Sequence, residues 1–124
     1  KILSDVEKQI RRRILLQTKT LILTPRYLVE LSDDICAIIP LPEVLWIYDH
    51  AAMRRTIKGR QLSYTIHVVT MKGEEYTLTG KSHREVSAIY HELNTRYPNF
   101  FFGYSKEHQE MVQYVLHEMK NEKA

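Results

Sequence analysis

The sequence predicts one α+β domain: an antiparallel sheet of six or seven strands, a helix before the sheet and two helices after it. Three observations lead to this prediction. The run Val44–Tyr48 holds β-branched, aromatic and Leu residues on both faces, which is typical of a central strand covered on each side. Residues 61–71 alternate between apolar and polar side chains. Ser82 and Glu85 form a capping box ahead of a helical apolar stripe.

The first helix is predicted over residues 4–15. Ser4 is a favourable N-cap, and Glu7 completes a capping box with it. One face of this helix carries the apolar residues Val6, Ile10 and Ile14.

A strand meander is predicted over residues 18–79. Its first three strands cover residues 20–24, 27–31 and 35–39. Pro25 favours the first turn, and Ser32-Asp33-Asp34 the second, because Ser and Asp side chains bond to nearby backbone N–H groups. Pro40 and Pro42 then form a rigid corner, since proline fixes φ and lacks an N–H donor. The central strand follows this corner and ends near His50.

The second half of the meander is predicted as a loop and a hairpin. Residues 51–60 are polar and basic and contain Gly59, so we expect a loop, although Ala51–Met53 could continue the central strand. Residues 61–71 form the longest strand, with one face in the core: Leu62, Tyr64, Ile66 and Val68. Lys72-Gly73 is a hairpin turn, and residues 74–79 pair back.

Two C-terminal helices are predicted, over residues 82–97 and 105–120. The apolar stripe of the first helix is Val86, Ile89, Tyr90, Leu93 and Tyr97. Pro98 ends this helix, and an aromatic connector over residues 99–104 leads to Ser105, which caps the second helix. The stripe of the second helix is Met111, Val112, Val115, Leu116 and Met119, and the helix is expected to fray near Asn121.

Two segments of the sequence resemble the bacterial pleckstrin-homology-like (PH-like) families: Leu-Thr-Pro-Arg-Tyr-Leu at 23–28 and Ile-Ile-Pro-Leu-Pro-Glu-Val at 38–44. In those families an apolar strand ends in a Thr-centred turn, and an Ile-x-Leu-x-acid-Val segment leads into a later strand. The resemblance covers residues 18–97 and implies a PH-like sheet or partly open barrel in a binding or scaffold module. The Pro25-Arg26 turn is too short for the basic phosphoinositide-binding motif of eukaryotic members, so the resemblance implies no ligand.

Composition excludes several classes of protein. With 124 residues, 27% charged and a net charge of +3, the chain has the composition of one soluble domain, and a nucleic-acid-binding domain would usually be more basic. Cys36 is the only cysteine, so an internal disulfide is excluded and a small buried side chain is expected. No apolar run reaches the ~18 residues of a membrane helix. We expect a cytoplasmic protein; because the chain begins at Lys1, membrane association through a segment outside it stays open.

No cofactor, metal site or catalytic constellation is predicted. His83 and His91 lie two helical turns apart, about 12 Å along the axis, which is too far to chelate one ion. Gly-rich phosphate loops and Cys-x-x-Cys or His-x-x-x-His spacings do not occur. Asp33-Asp34 is expected in a turn, and the neighbours Asp49 and His50 point to opposite faces of a strand. We therefore expect no enzyme and no small-molecule substrate.

Two candidate contact surfaces remain. The first is the basic loop, with Arg54, Arg55, Lys58 and Arg60, which either is solvated or contacts an anionic surface. The second is the aromatic connector, with Phe100, Phe101, Phe102 and Tyr104, which either clamps the last helix or contacts another chain. The sequence thus predicts a non-enzymatic protein-interaction or scaffold module, the soluble part of a larger bacterial protein, that binds a protein partner or self-associates. The alternative is a peripheral module that binds anionic lipid.

Overall fold

The computed structural model describes residues 2–31, 37–97 and 100–123. Its helices are α1 (Ile2–Arg12), α2 (His83–Arg96) and α3 (Lys106–Lys123), with a single 3-10 turn at Leu41–Glu43. Its strands are β1 (Leu16–Gln17), β2 (Leu21–Leu23), β3 (Tyr27–Glu30), β4 (Ala37–Pro40), β5 (Val44–Thr56), β6 (Gly59–Thr70), β7 (Glu75–Lys81) and β8 (Phe101–Phe102). The predicted α+β architecture, with one helix before the sheets and two after them, is confirmed.

The described strands form two four-stranded sheets that do not close on each other. The first sheet has the order β1-β2-β3-β4 and the second β7-β6-β5-β8. All pairs are antiparallel except β5 with β8, which is parallel. The described strands number eight rather than six or seven because β1 and β8, each of two residues, were not expected.

The main core lies where the two sheets and α2 meet. It contains the buried residues Leu21, Leu23, Leu28, Ile39, Leu41, Val44, Ile47, Ile66, Val68, Leu78, Val86, Ile89 and Leu93. The α2 stripe is confirmed, and so is its capping box: Ser82 Oγ accepts from the Glu85 N–H, and the Glu85 carboxylate accepts from the Ser82 N–H. This cap fixes the start of α2 directly after β7.

Two smaller clusters bury the outer faces of the sheets. On the first sheet, Val6 of α1 packs with Ile22, Tyr27 and Val29. On the second, Val112 of α3 packs with Leu45, Trp46 and Val69. Both terminal helices are therefore integral layers of the domain. Within the described ranges, no helix is both long and apolar enough to cross a membrane.

The first helix differs from its predicted bounds at both ends. It begins at Ile2, so Ser4 lies within the helix and is not its N-cap. It ends at Arg12, three residues early, because the chain then joins the first sheet: the Leu15 N–H donates to the Leu23 carbonyl at 2.8 Å. Ile14, expected on the buried stripe, is 38% exposed.

The central strand contains a β-bulge at Leu45. Val44 pairs with Thr70, and Trp46 pairs with the neighbouring residue Val69. Leu45 is therefore an extra residue on β5 without a partner on β6. Val44 and Ile47 consequently both face the main core, whereas Leu45 and Trp46 both face α3. Strict alternation of residues 44–48 predicts that Val44 and Trp46 share a face, and this was wrong because the bulge inserts an extra residue between them.

The prediction of a loop over residues 51–60 was also wrong. β5 continues to Thr56 and β6 begins at Gly59, so only Ile57 and Lys58 lie in the turn. The open alternative, that Ala51–Met53 continues the strand, is what the structure has. Backbone pairing across the hairpin makes these residues strands without any buried face.

The aromatic connector and the last helix differ from their predicted bounds. The aromatic connector contains β8, and α3 extends to Lys123 rather than fraying near Asn121. Ser105 caps α3 as predicted, its Oγ accepting from the His108 N–H at 3.0 Å. The predictions for Cys36, the Ser32-Asp33-Asp34 turn and Pro98 lie outside the described residues.

Candidate functional site

The candidate site is a two-stranded ribbon, residues 50–65, that continues β5 and β6 beyond the rest of the second sheet. β7 pairs with β6 only from Tyr64 onward, and β8 pairs with β5 only at Trp46 and Ile47. Among the described strands, the ribbon strands beyond these points pair only with each other. Residues 50–62 are all exposed. The ribbon therefore projects from the body of the domain with both strand edges open.

A two-residue turn closes the ribbon. Thr56 pairs with Gly59, and Thr56 Oγ1 also donates to the Gly59 carbonyl oxygen at 2.8 Å. Gly59 has φ of +117°, a conformation that residues with a side chain rarely adopt. Ile57, in this turn, is fully exposed. The turn thus presents one large apolar side chain and Lys58 at the tip.

The four predicted basic residues lie on different parts of the ribbon. Arg55 and Arg60 are directly opposite each other on one face, Arg54 faces the other way opposite Gln61, and Lys58 is in the turn. Directly opposed like charges destabilise a strand pair. Among the described residues, none of these cations forms an ion pair with a carboxylate.

An exposed apolar pair follows the two arginines on the same face. Met53 lies opposite Leu62, and their side chains are 61% and 53% exposed. One face of the ribbon therefore runs from cationic at the tip to apolar towards the domain. The expectation that Leu62 lies in the core was wrong, because the core ends before this point of β6.

Residues from both faces of the ribbon border an open cleft of about 690 Å³. Arg55, Lys58 and Leu62 lie on its ribbon side, and Lys81, Ser82 and Glu85 on the side of β7 and α2. The cleft lies where β7 stops pairing with β6: Ile66 pairs with Leu78 and Tyr64 with Lys81, so β7 has a bulge of one extra residue just before its last pair. Gly80, with φ of +67°, is in this bulge and turns the chain into α2.

The floor of the cleft is a satisfied polar network. Lys81 Nζ lies 2.6 Å from Glu30 Oε1, and both side chains are buried. Glu85 Oε2 accepts from Thr18 Oγ1 at 2.5 Å and from Thr20 Oγ1 at 2.7 Å. Burial raises the pKa of Glu85, but these hydrogen bonds and those from Ser82 outweigh it and hold the pKa below its ordinary value. Every buried side-chain N or O atom in the described residues has a partner. Among the residues that line the cleft, the cations without an ion pair to a described residue are Arg54, Arg55 and Lys58, all on the ribbon.

The aromatic connector packs largely against its own chain. Phe100 and Phe102 contact the main core, Phe101 contacts the α3 cluster, and all three are half-buried. Trp46 Nε1 donates to the Gly103 carbonyl oxygen at 2.9 Å, which holds the connector on β5. Tyr104 is 61% exposed, and its ring lies 6.0 Å from that of Trp46. Of the predicted partner contacts, Tyr104 has the largest free surface.

A pair of histidines at the base of the ribbon was not anticipated. His50 Nδ1 and His67 Nε2 are 3.1 Å apart, so one ring donates an N–H to the other, and Tyr48 stacks on His67. Burial and the neighbouring His50 lower the pKa of His67. In the described part of the chain, no group of three or more His, Cys, Asp or Glu side chains could hold a metal ion. The diagonal placement of the two rings across β5 and β6 leaves no signal in the sequence.

Asp49 and His50 point to opposite faces, as expected for neighbours on a strand. The Asp49 carboxylate accepts a short hydrogen bond from the Tyr90 hydroxyl of α2, whereas His50 contacts His67. Burial and the Asp49 carboxylate raise the pKa of Tyr90 well above its ordinary value. These two residues therefore have separate structural partners.

A family model described as a domain of unknown function (DUF6709) matches residues 5–112, from α1 to the first part of α3. No curated protein matches the chain. The matched range includes the ribbon and the cleft.

Proposed function

The chain belongs to the DUF6709 family, and we propose that it is a non-enzymatic interaction module that binds an acidic protein partner through the ribbon. The observation that supports this proposal is the charge of the ribbon. Residues 50–65 contain four cationic side chains and no carboxylate. These cations are exposed and have no ion-pair partner among the described residues, and two of them are directly opposed. An acidic surface would relieve this repulsion, and complementary charge would also direct and accelerate the encounter.

The ribbon also contributes little to the stability of the domain, so stability does not explain its presence. Its residues from 50 to 62 are exposed, so they bury almost no apolar surface. A two-stranded hairpin is at best marginally stable in water on its own. Binding sites are often carried by projecting segments of this kind, which contribute little to folding and expose charges of one sign.

Zero-length crosslinking tests the proposal, because a carbodiimide joins an amine only to a carboxylate in direct contact. The protein would be crosslinked in permeabilised cells that express it, so that the salt concentration can be set, and linked peptides would be identified by mass spectrometry. We expect Lys58 to link to Asp or Glu of another polypeptide, and high salt during crosslinking to remove the link. Lys106, exposed at the start of α3, is the control amine.

Two results would overturn this function. One is an intermolecular crosslink yield at Lys58 no higher than at Lys106. The other is an undiminished yield in the variant Arg54→Glu with Arg55→Glu, with Arg11→Glu and Arg12→Glu as the matched control. The control changes the same two charges on exposed residues of α1, remote in sequence from the ribbon.

A second candidate function is docking on an anionic membrane surface, and the exposed Ile57 favours it. An apolar side chain at the tip could enter the headgroup region while each basic residue adds about 1 kcal/mol of attraction. In this case the protein should sediment with vesicles that contain phosphatidylserine and not with phosphatidylcholine alone. Ile57→Asp should weaken this binding. Equal binding to both kinds of vesicle, or to neither, would exclude the membrane.

We also propose that the fold is PH-like. Two antiparallel sheets of the first seven strands, followed by a capped helix, support the proposal and agree with the resemblance at residues 23–28 and 38–44. Strand β8 and helix α3 are additions to that pattern. Superposition of the two sheets and α2 on PH-like domains would test it, and a different order of the matched strands would contradict it.

A further inference from the structure

We propose that the acidic partner binds as an extended segment that adds a strand to the open edge of β6, between Gly59 and Ser63, inside the cleft. This inference rests on the proposed function and specifies the form of the ligand. It follows from three properties of the site: an unpaired strand edge, a cleft beside it and the charge of the ribbon.

The open edge is produced by the departure of β7. The last residue of β6 paired with β7 is Tyr64, and the five residues Gly59–Ser63 have no neighbour on that side among the described strands. Their backbone N–H and C=O groups span about 17 Å. Such an edge is a template for another strand, since the backbone groups of alternate residues point away from β5 and have no partner strand among those described.

The space beside the edge suits an extended chain. β7 ends at Lys81, directly after the bulge that contains Gly80, and α2 starts at once beyond Ser82, so the position that β7 would have continued into is the cleft. A strand added there would extend the second sheet along the line of β7. One set of alternate side chains would then lie over the face that carries Leu62 and Met53. The same face carries Arg55 and Arg60, so carboxylates in that set would lie beside the two opposed arginines.

The charge of the ribbon determines which kind of segment can bind beside β6. A second copy of this chain would place four more cations beside Arg54, Arg55, Lys58 and Arg60, so pairing of two ribbons is disfavoured. A neutral segment would leave the opposed Arg55 and Arg60 uncompensated. A segment with Asp or Glu at alternate positions compensates them. The carboxylate of Glu85, on the far side of the cleft, already accepts hydrogen bonds from Thr18, Thr20 and Ser82.

A synthetic peptide that alternates Glu and Val tests the proposal on the full chain. Binding would be followed by NMR, with hydrogen exchange measured at the backbone amides of residues 59–63. We expect alternate amides of this segment to exchange at least tenfold more slowly with the peptide present. The Arg54→Glu, Arg55→Glu variant should bind at least tenfold more weakly, and the Arg11→Glu, Arg12→Glu variant as tightly as the wild type.

Backbone-methylated peptides separate strand addition from simple charge attraction. Two forms, methylated at one or the other set of alternate amides, keep every side chain and charge but lose the donors on one edge. We expect one form to lose at least tenfold in affinity and the other to bind normally. Equal affinities for all three peptides, or no binding of the unmethylated one at millimolar concentration, would overturn strand addition. Lys58 crosslinks that persist alongside such a result would leave the proposed function standing, whereas their absence would refute the function itself.

Discussion

Lys81 Nζ lies 2.6 Å from Glu30 Oε1, and the two side chains are 0% and 6% exposed. Lys81 ends β7 in the second sheet and Glu30 ends β3 in the first, so this ion pair joins the two sheets through the interior. Lys81 Nζ also donates to the carbonyl oxygen of Thr20, the residue before β2, at 3.4 Å. The pair therefore fixes the point from which β7 turns away from the ribbon and opens the cleft.

Removing one member of this pair should destabilise the domain strongly. In Glu30→Gln the ammonium of Lys81 stays buried without its counter-charge, which typically costs about 3–5 kcal/mol. Urea unfolding followed by circular dichroism measures the loss. The double variant Glu30→Leu with Lys81→Met is the control, because apolar replacement of both partners should recover most of the stability. A loss below 1 kcal/mol in Glu30→Gln would show that the pair has no structural role.

Two neighbouring residues of α3 test whether this helix is part of the fold. Val112 is 2% exposed and packs against Trp46, while Met111 is 49% exposed. Val112→Asp buries a charge and should lower the free energy of unfolding by several kcal/mol, a large share of the ~5–15 kcal/mol of a whole domain. Met111→Asp should change it by less than about 1 kcal/mol. Equal effects of the two substitutions would mean that α3 is an appendage.

The histidine pair should make stability depend on pH. The pKa of His67 is lowered in the folded state by burial and by His50, so the unfolded chain takes up a proton more readily. This contribution to stability is therefore present above the ordinary histidine pKa of 6.5 and is lost as the pH falls through the folded value. We expect the unfolding free energy of the wild type to fall between pH 7.5 and 5 more than that of His67→Phe. Identical pH profiles would refute the effect.

The sequence predicts the elements that have a buried periodic face, and α2 is the best example. Val86, Ile89 and Leu93 repeat at helical spacing, and Ser82 and Glu85 form the cap that the pattern indicated. The inner face of β6 is predicted equally well at Ile66 and Val68. In these elements the periodic apolar residues are the ones that the fold buries, so the sequence pattern alone predicts both the element and its buried face.

The ribbon could not be predicted in the same way, because its strands have no buried face. Residues 51–60 are exposed on both sides, and only their backbone pairing makes them strands. The sequence identifies Arg54, Arg55, Lys58 and Arg60 as a basic group but not their arrangement. The ion pair of Glu30 with Lys81 joins residues 51 positions apart, so no local pattern indicates it. The cleft depends on both features and is visible only in three dimensions.

Shortening the ribbon should leave the stability of the domain almost unchanged. Ala52 pairs directly with Ser63, so residues 53–62 can be replaced by Asn-Gly, which favours a two-residue hairpin turn. The removed residues are all exposed, and the core residues Ile47, Ile66 and Val68 are retained. We expect a change in unfolding free energy of less than about 1 kcal/mol. A decrease of several kcal/mol in the free energy of unfolding would mean that the ribbon is needed for the stability of the fold.

The most direct test of the account is the dissociation constant of the partner identified by Lys58 crosslinking, measured for the wild type and for the shortened variant. Both proteins would first be shown to unfold cooperatively with the same free energy. We expect the shortened variant to lose at least tenfold in affinity, because it lacks the four cations and the open edge of β6. An unchanged dissociation constant would contradict the account, since the partner would then bind a surface other than the ribbon.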